Sequence, residues 1–230
     1  MLIQKYNYKN LKRKNINKKR HYIVEGEISP TPVPSVTTIL SETAPEEDKQ
    51  AIKNWRKRVG YAKANSISTE SAGRGTRVHK YLENFILNGK LAKPGTNPYS
   101  KQANLMAESI INNGLVNVSE IWGTEVPLCF PKIYAGTSDC AGVHQGDETI
   151  IDFKQSNKIK KREWLDGYFL QTVAYGEAHN ELYGTNIRKG VIIMITPDLD
   201  YLEFIIENKE YEKFRKEWWR RVEQYYLISN

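Results

Sequence analysis

Three strand-like segments follow one another between residues 118 and 156, and they constrain the fold more than any other part of the chain. They read SEIWGTEVPLCF, KIYAGTSDCAGVHQ and ETIIDFKQS, and Gly146 and Asp147 form a turn signal between the last two. Three strands in direct succession are typical of an antiparallel meander. We therefore expect one sheet whose strands are neighbours both in sequence and in space.

Helical patterns surround the meander. On the N-terminal side we expect a helix from an N-cap at Ser35 through Leu40, a helix over 46–59 with Trp55 facing inward, a glycine loop followed by a helix from an N-cap at Thr76 to Gly89, and a helix over 101–112. On the C-terminal side the periodicity predicts a long helix over 164–183, strands over 188–196 and 202–207, and a closing helix.

These elements predict one domain over residues 21–230. It consists of a helical N-terminal part over about 35–115, a core over about 116–207 and a C-terminal helix over about 208–227. A length of 230 residues with 40% hydrophobic content is enough for one sizeable core. No apolar run approaches the roughly 18 residues of a membrane span, so we expect no membrane partner and a cytoplasmic location.

The first 20 residues hold eight lysines or arginines and no acidic residue. Removing these eight from the 34 basic residues leaves 26 against 27 acidic residues, so the excess positive charge lies in this segment. We expect a flexible basic arm over residues 1–20. With Tyr6 and Tyr8 among its charges, it could bind phosphate backbones through counterion release; a disordered solubilising tail is the alternative.

The third strand segment places an acid and a base two residues apart, Asp152 and Lys154. Strand side chains alternate between faces, so these two share one face while Ile151 and Phe153 share the other. One interpretation is a surface ion pair worth less than about 1 kcal/mol. The other is half of a metal-dependent hydrolytic site, in which the acid faces a metal and the base faces a water or phosphate.

A second carboxylate comes from Asp139, at the predicted end of the preceding strand. A tight hairpin brings adjacent strands to within about 5 Å, so Asp139 and Asp152 can converge. Hard cations such as Mg²⁺ or Mn²⁺ are held by one or two carboxylates together with water and phosphate oxygens. Lys154 beside such an ion could orient the attacking water and offset the charge that builds on phosphorus.

With their neighbours, these residues resemble a known nuclease pattern. The order Gly75-x-x-x-His79, Asp139, Asp152-x-Lys154, Gln171-x-x-x-Tyr175 is similar to the RecB-like branch of the PD-(D/E)xK nuclease superfamily. Within it, PSVTTIL, RGTRVHKYLE, YAGTSDCAG, IIDFKQS and LQTVAYGEAHN most resemble the mitochondrial genome maintenance exonucleases and related phage exonucleases. The resemblance implies a restriction-endonuclease-like α/β fold, with an αβββαβ core whose central mixed sheet is flanked by helices.

The resemblance also implies roles for the matched residues. Asp139, Asp152 and Lys154 are the catalytic set; the metal is held by Asp139, Asp152, the His79 imidazole and the backbone carbonyl of Phe153. Further residues are candidates for binding the substrate or supporting the site: Glu125, Gln171, Tyr175, Arg74 and Ser156. Glu83, one helical turn after His79, could orient the imidazole or be solvated.

Two features depart from the family pattern. Gln155 stands where threonine is common, and Phe153 replaces a common tryptophan; neither side chain is an expected metal ligand. The cysteines of iron–sulfur relatives are absent, because the chain has only Cys129 and Cys140, which we expect to be buried apolar residues in a reducing compartment. We therefore expect Mg²⁺ or Mn²⁺ and no iron–sulfur cluster.

Residues on the predicted long helix form a stripe at intervals of three and four: Trp164, Tyr168, Gln171, Tyr175 and His179. Such a stripe could stack unpaired bases, although core packing is the commoner reason for aromatic residues at helical spacing. The basic run NKIKKR over 157–162 directly follows the third strand. It is a candidate phosphate contact or a solvated loop.

The activity implied by the resemblance is a divalent-metal-dependent DNA exonuclease acting on free ends of single-stranded DNA. Its expected setting is recombination, repair, replication or phage genome processing, with a single-strand-binding or recombination protein as a candidate partner. Two alternatives stay open: a non-catalytic nucleic-acid-binding factor on the same fold, and a structure- or sequence-specific endonuclease. The complete set of matched residues argues against the first, and the limited length of the chain against the second.

Overall fold

The structure, a computed structural model, describes residues 2–26 and 31–229. Within these ranges the strands are β1 (Leu11–Ile16), β2 (Lys19–Val24), β3 (Val33–Pro34), β4 (Val118–Phe130), β5 (Tyr134–His144), β6 (Asp147–Gln155), β7 (Lys189–Ile195) and β8 (Tyr201–Glu207). The helices are α1 (Val36–Glu42), α2 (Glu46–Val59), α3 (Tyr61–Asn88), α4 (Pro98–Asn113), α5 (Asp166–Tyr183) and α6 (Asn208–Ser229). None of these helices is long and apolar enough to cross a membrane.

The central sheet has five strands in the order β4-β5-β6-β7-β8. Strands β4, β5 and β6 form the predicted antiparallel meander, β6 and β7 are parallel, and β7 and β8 are antiparallel. Two parallel neighbours need a crossover connection, and α5 supplies it between β6 and β7. The sheet is therefore mixed and flanked by helices, which confirms the predicted α/β fold with its αβββαβ order.

The turn between β5 and β6 differs by one residue from the prediction. His144 pairs with Asp147, so the two turn residues are Gln145 and Gly146, and Asp147 begins β6. Gln145 and Gly146 have φ angles of 51° and 92°. Two-residue hairpins favour such left-handed conformations, and glycine adopts them without a steric cost.

Alternation along β5 and β6 sends side chains to two separate cores. Ile151 and Phe153 of β6 pack with α3 and α4 in one apolar cluster, whereas Ile150 belongs to the cluster under α5 and α6. The prediction that Ile151 and Phe153 share one face of the strand is confirmed. Asp152 and Lys154 therefore belong to the opposite face, which two packed layers hold in position.

The N-terminal segment is folded, contrary to the expectation of a flexible arm over 1–20. β1 and β2 form an antiparallel hairpin, and β3 adds a third strand to it. The reason is visible on β2, where Tyr22 and Val24 are buried and join an apolar cluster with Ala135 of β5. The segment HYIVEGE over 21–27 predicts a short strand; in the structure β2 ends at Val24, and Glu27 lies outside the described residues.

Helix α3 runs unbroken from Tyr61 through both glycines, so the predicted loop and the N-cap at Thr76 are wrong. Two interior glycines cost about 2 kcal/mol of helix propensity together. The continuous stripe of buried residues that α3 packs against α4 and the sheet offsets this cost, and it includes Val78, Leu82 and Ile86. The Thr76 hydroxyl donates to the carbonyl of Ala72 within the helix.

Other helix boundaries follow the sequence signals. Ser35 caps α1 by accepting a hydrogen bond from the backbone amide of Thr38 at 3.0 Å, and Gly89 ends α3 in a left-handed conformation. Helix α2 has the predicted bounds, but none of its residues is buried. Trp55 is half-buried and Ile52 is 58% exposed, so the predicted inward packing of α2 is wrong.

Candidate active site

The candidate site lies where β5 and β6 separate. Their pairing ends at Cys140 and Ile151, after which β6 continues along β7. The next residue on each strand is Asp139 and Asp152, so both carboxylates stand at the opening of the fork. Asp139 is thus in the middle of β5 and not at its predicted end. Its Oδ2 accepts a hydrogen bond of 2.8 Å from the backbone amide of Phe153, which the divergence of the strands leaves free.

Asp152 and Lys154 form an ion pair, contrary to the expectation that one faces a metal and the other a water or phosphate. The Lys154 ammonium donates to Asp152 Oδ1 at 2.6 Å and lies 2.5 Å from Oδ2. Asp152 is only 2% exposed, and a carboxylate this deeply buried needs a compensating cation. Even so, burial raises the pKa of Asp152 to about 6. Burial lowers the pKa of Lys154, but Asp152 and Asp139 outweigh that effect and leave it raised.

His79 reaches the fork from α3. Its Nε2 donates to the backbone carbonyl of Phe153 at 2.9 Å, so that carbonyl is occupied by the imidazole. Its Nδ1 lies 3.5 Å from Asp139 Oδ1 and 4.0 Å from Glu125 Oε1. Burial lowers the pKa of His79, whereas Glu125 and Asp139 raise it by more, so the net direction is upward.

Glu125 completes the opening from β4. It stands between the cross-strand pairs Thr124–Cys140 and Val126–Ser138, which puts it opposite Asp139. Its φ is 49°, a left-handed conformation that is uncommon for glutamate inside a strand. The hydroxyl of Thr124 donates to the backbone carbonyl of Asp139 at 3.2 Å and ties the two strands together at this point. The carboxylate of Glu125 is 45% exposed at the mouth of the site.

These groups suit one divalent cation. Ligand atoms of His79, Glu125 and Asp139 all lie within 4.8 Å of one another. One imidazole with two carboxylates is a donor set that transition metals such as Mn²⁺ accept, and carboxylates also suit Mg²⁺. Asp152 stands beside this group and not in it, and both of its carboxylate oxygens face the Lys154 ammonium. The set that converges therefore contains Glu125 where the sequence predicted Asp152.

Gln171 and Tyr175 brace the fork from α5. Tyr175 is 4% exposed, and its hydroxyl packs so closely on Gly136 of β5 that a Cβ there would lie 2.8 Å away. Burial raises the pKa of Tyr175, and a hydrogen bond from Gln171 opposes that shift. Tyr175 is thus placed to support β5, and the half-buried Gln171 supports Tyr175.

Arg74 and Ser156 hold the loop after β6. The Arg74 guanidinium is 7% exposed and donates to Asn157 Oδ1 at 2.7 Å. Ser156 is 8% exposed, and its hydroxyl donates to the carbonyl of Lys158 at 2.7 Å. Neither side chain faces the open part of the site, so their placement fits support of the site and not contact with a substrate. Glu83 makes no contact with the His79 nitrogens and lines the hollow beside them.

Two further residues belong to the site without having been predicted to. Gln155 donates to the Ser71 carbonyl at 2.9 Å and to its hydroxyl at 2.6 Å, which joins β6 to α3. The ring of Tyr168 lies 5.1 Å from the Lys154 ammonium, and its hydroxyl accepts from Lys160 at 3.0 Å. The stripe on α5 pointed to Tyr168, but sequence alone could not separate it from His179, which is fully buried at the other end.

Two hollows open on either side of His79. One, of about 430 Å³, lies between Lys154, Tyr168 and the α3 residues Ser71 and Ala72. The other, of about 520 Å³, lies between Lys80, Glu83 and Glu125. Gly75 and His79 line both. A substrate could therefore extend across α3 at Gly75 and meet the site from two directions.

Comparison with curated proteins finds relatives of one kind. Mitochondrial genome maintenance exonuclease 1 of Mus musculus is 27% identical over 203 residues, covering 84% of this chain and 59% of that protein. The Homo sapiens protein of the same name is 26% identical over 179 residues, covering 72% and 50%. The chain is related to the PD-(D/E)xK exonucleases. It spans between half and three fifths of the length of these relatives. No family model matches the chain.

Solved structures of other exonucleases are less similar to this chain than the curated relatives are. A putative exonuclease from Eubacterium rectale superposes with a TM-score of 0.48 at 18% identity, over 67% of this chain and 64% of that one. An alkaline exonuclease from Laribacter hongkongensis gives a TM-score of 0.29 at 15% identity, over 67% and 84%. The relationship to exonucleases therefore rests on the sequence similarity to the curated proteins.

Neither cysteine belongs to the group of side chains that converge at the fork. Cys129 and Cys140 are buried and form no disulfide, and burial raises the pKa of the Cys140 thiol. A thiol in such surroundings stays protonated and is a poor nucleophile. Their predicted role as buried apolar residues is confirmed.

Proposed function

We propose that this protein is a divalent-metal-dependent DNA exonuclease that hydrolyses phosphodiester bonds from free ends of single-stranded DNA. The observation that carries the proposal is the convergence of His79, Glu125 and Asp139 beside the Asp152–Lys154 pair. An imidazole and carboxylates can hold a divalent metal, and a buried lysine can stabilise charge that develops on phosphorus, so together these groups can support metal-assisted phosphodiester hydrolysis. The relationship to proteins named exonucleases agrees with this chemistry.

The metal would be held by His79, Glu125 and Asp139, with Asp152 as a further ligand; Mg²⁺ and Mn²⁺ are the proposed ions. When bound, such an ion polarises a phosphoryl oxygen and lowers the pKa of a bound water. The donation from His79 Nε2 to the Phe153 carbonyl fixes the ring and leaves Nδ1 directed at the carboxylates. In the neutral imidazole, the Nδ1 lone pair is then available to a cation.

Lys154 supplies positive charge where phosphorus gains negative charge. Asp152 and the ring of Tyr168 hold its ammonium in place, and it keeps its proton because its pKa is raised. Preorganised charge of this kind needs little reorganisation when the reaction occurs. The Phe153 amide fixes Asp139 from the other strand, so the two carboxylates keep their relative position.

The two hollows support our proposal that the substrate is a single strand. The hollows on the two sides of His79 meet over Gly75, where α3 carries no side chain. A strand without its complement could follow this path and place one phosphate near Lys154. We further propose that the enzyme processes DNA ends in replication, recombination, repair or phage genome processing, with a single-strand-binding or recombination protein as partner.

The activity is tested with end-labelled linear and circular single-stranded DNA incubated in Mg²⁺, Mn²⁺ or EDTA. We expect linear strands to be degraded with either metal, and circles and EDTA samples to stay intact. Asp139→Asn and Lys154→Met should each abolish degradation, while Glu83→Gln, in the same hollow but outside the ligand group, should keep most of it. Cutting of circles as fast as linear strands would identify an endonuclease, and DNA binding without any cleavage would identify a non-catalytic factor.

A further inference from the structure

We propose that the β1–β2 hairpin is a binding surface for the phosphate backbone of the DNA that enters the candidate active site. This inference rests on the proposed function for the identity of the partner. The hairpin is a folded element in the segment that the sequence predicts to be a flexible arm.

The charge of the hairpin is of one sign. Its exposed basic residues are Lys12, Arg13, Lys14, Lys18 and Arg20, and the chain has no acidic residue before Glu25. Lys19 pairs with a carboxylate, because its ammonium lies 2.8 Å from Glu42. Among the described residues, no such partner contacts the five exposed basic residues. A polyanion is the partner that such a surface attracts, because each neutralised phosphate releases bound counterions.

The hairpin is held against the domain by one of its two faces. Tyr22 and Val24 of β2 and Leu11 of β1 pack in the cluster that contains Ala135. The carbonyl of Arg20 accepts hydrogen bonds from the amide of Ser35 at 2.9 Å and the hydroxyl of Thr38 at 2.8 Å. An anchored surface loses less conformational entropy on binding than a flexible arm does.

The other face points outward and carries lysines at regular spacing. Lys12 pairs with Ile23 and Lys14 with His21, so both lysines lie opposite to the buried Tyr22 and Val24 face. At the tip, Asn17 and Lys18 form the turn with φ angles of 50° and 63°. The lysines of the outer face and the tip therefore form one continuous charged edge.

The position of the hairpin connects this edge to the fork. Ser35, which follows β3, bridges to Ala135 on the part of β5 that β6 has left. Ala135 packs in one cluster with Tyr22 of the hairpin and lies on β5, the strand that carries Asp139. The hairpin therefore adjoins the strand that supplies one of the two carboxylates. DNA held by the outer face would lie on the β5 side of the site, whereas the two hollows lie on the α3 side.

Lysines on an edge strand have another explanation, since they prevent association of exposed strands. β1 is the outer strand of its sheet, so this role is open to Lys12 and Lys14. It requires only that the edge be charged, and it predicts no effect on DNA binding. The two roles therefore differ in a measurable property.

The experiment compares two triple variants with the same loss of charge. The hairpin variant is Lys12→Gln, Lys14→Gln, Lys18→Asn, where asparagine suits the positive φ of residue 18. The control is Lys209→Gln, Lys213→Gln, Lys216→Gln, three exposed lysines of α6 without a carboxylate partner among the described residues. Binding of a labelled single-stranded oligonucleotide is measured in EDTA over a range of salt concentrations.

Three lost contacts to a single strand should reduce the slope of log affinity against log salt by about 2. We expect this reduction in the hairpin variant and an unchanged slope in the control, with equal melting temperatures. Equal effects in the two variants, or none in the hairpin variant, would overturn the inference. Because binding is measured without metal, an enzyme that binds through the hairpin and cleaves nothing contradicts only the proposed activity, and an active enzyme insensitive to the hairpin contradicts only this surface.

Discussion

Glu125 faces Asp139 across β4 and β5 while its own backbone is left-handed, with φ at 49°. A non-glycine residue in this region costs on the order of 1 kcal/mol and persists only where its neighbours impose it. Here the pairs on both sides impose it, and the carboxylate reaches the group formed with His79. The strain is thus located at one of the proposed ligands.

We predict that Glu125→Asn leaves the free energy of unfolding unchanged or raises it by up to about 1 kcal/mol, because asparagine tolerates this conformation. The variant should lose most of the rise in melting temperature that Mn²⁺ produces in the wild type. Lys132→Asn is the matched control, since Lys132 has a φ of 63° in the turn before β5. A Glu125→Asn protein stabilised by Mn²⁺ as strongly as the control would exclude Glu125 from the metal site.

The Asp152–Lys154 pair predicts non-additive effects on stability. Removing one partner of a buried ion pair costs about 3–5 kcal/mol, and because Lys154 is 19% exposed we expect about 2 kcal/mol or more for Lys154→Met. Removing both charges should cost less than the sum, since neither group is left alone. Urea denaturation of Lys154→Met, Asp152→Asn and the double variant in EDTA measures the coupling.

An exposed pair provides the comparison. The Lys49 ammonium lies 3.7 Å from Glu46 on the surface of α2, and the same cycle there should give a coupling below about 1 kcal/mol. Additive effects at Asp152 and Lys154 would mean that the lysine does not compensate the buried carboxylate. The pair would then have no structural role, and its geometry would need another explanation.

Two substitutions at Gly75 are expected to have different effects. Alanine should stabilise the protein, and a large residue should block the path of the substrate. A Cβ at this position would meet only Gln155 Cγ, at 3.5 Å, so alanine fits α3 without displacement. Gly75→Ala should raise the free energy of unfolding by about 0.5–1 kcal/mol. Gly75→Leu would fill the hollows that meet there, and should lower DNA degradation more than hydrolysis of a small phosphodiester.

Gly73 offers a control within the same helix. Its Cβ would meet Arg77 Nη1 at 3.5 Å, and Gly73 lines neither hollow. Gly73→Leu should therefore leave the ratio of the two hydrolysis rates near that of the wild type. If both leucine variants changed this ratio equally, the effect would come from the helix and not from the path across it.

The sequence predicts the core of this fold well because the signals there are local. Alternation defines β6, and a short turn makes Asp139 and Asp152 neighbours once the pairing of β5 and β6 follows. By contrast, α3 is predicted to begin after its glycines, because local propensity does not register the burial of Ala64 and Arg74 in the first half of the helix. The same limit made the N-terminal charges look like a solvated arm.

Two features of the site depend on tertiary structure alone. The left-handed conformation of Glu125 has no signature in its own residue type, so its place opposite Asp139 could not be predicted. The sequence allows Lys154 to pair with Asp152, since both share a face of β6. The pair forms because Asp152 is only 2% exposed, and this burial depends on the packing of the helices, which the sequence does not reveal.

His179 is fully buried where the N-terminal segment meets α5. Its Nε2 lies 3.1 Å from the Tyr8 hydroxyl and its Nδ1 lies 2.8 Å from that of Thr185. Burial lowers the pKa of this imidazole from 6.5 to about 4, and the charge of Lys5 adds to the shift. The rings packed around it are those of Tyr6, Tyr8, Trp122 and Tyr183.

Between pH 6.5 and 4 the unfolded chain therefore binds a proton at His179 that the folded protein does not. The free energy of unfolding should fall as the pH is lowered through this range, by up to about 3 kcal/mol. Urea denaturation at pH 7.5, 5.5 and 4.5 measures the fall, and His179→Gln should reduce it because glutamine does not titrate. His21→Gln, on the half-buried surface of β2, is the control. If the fall were as steep in His179→Gln as in the wild type and the control, other groups would cause the acid sensitivity, and the contact of the N-terminal segment with His179 would not govern it.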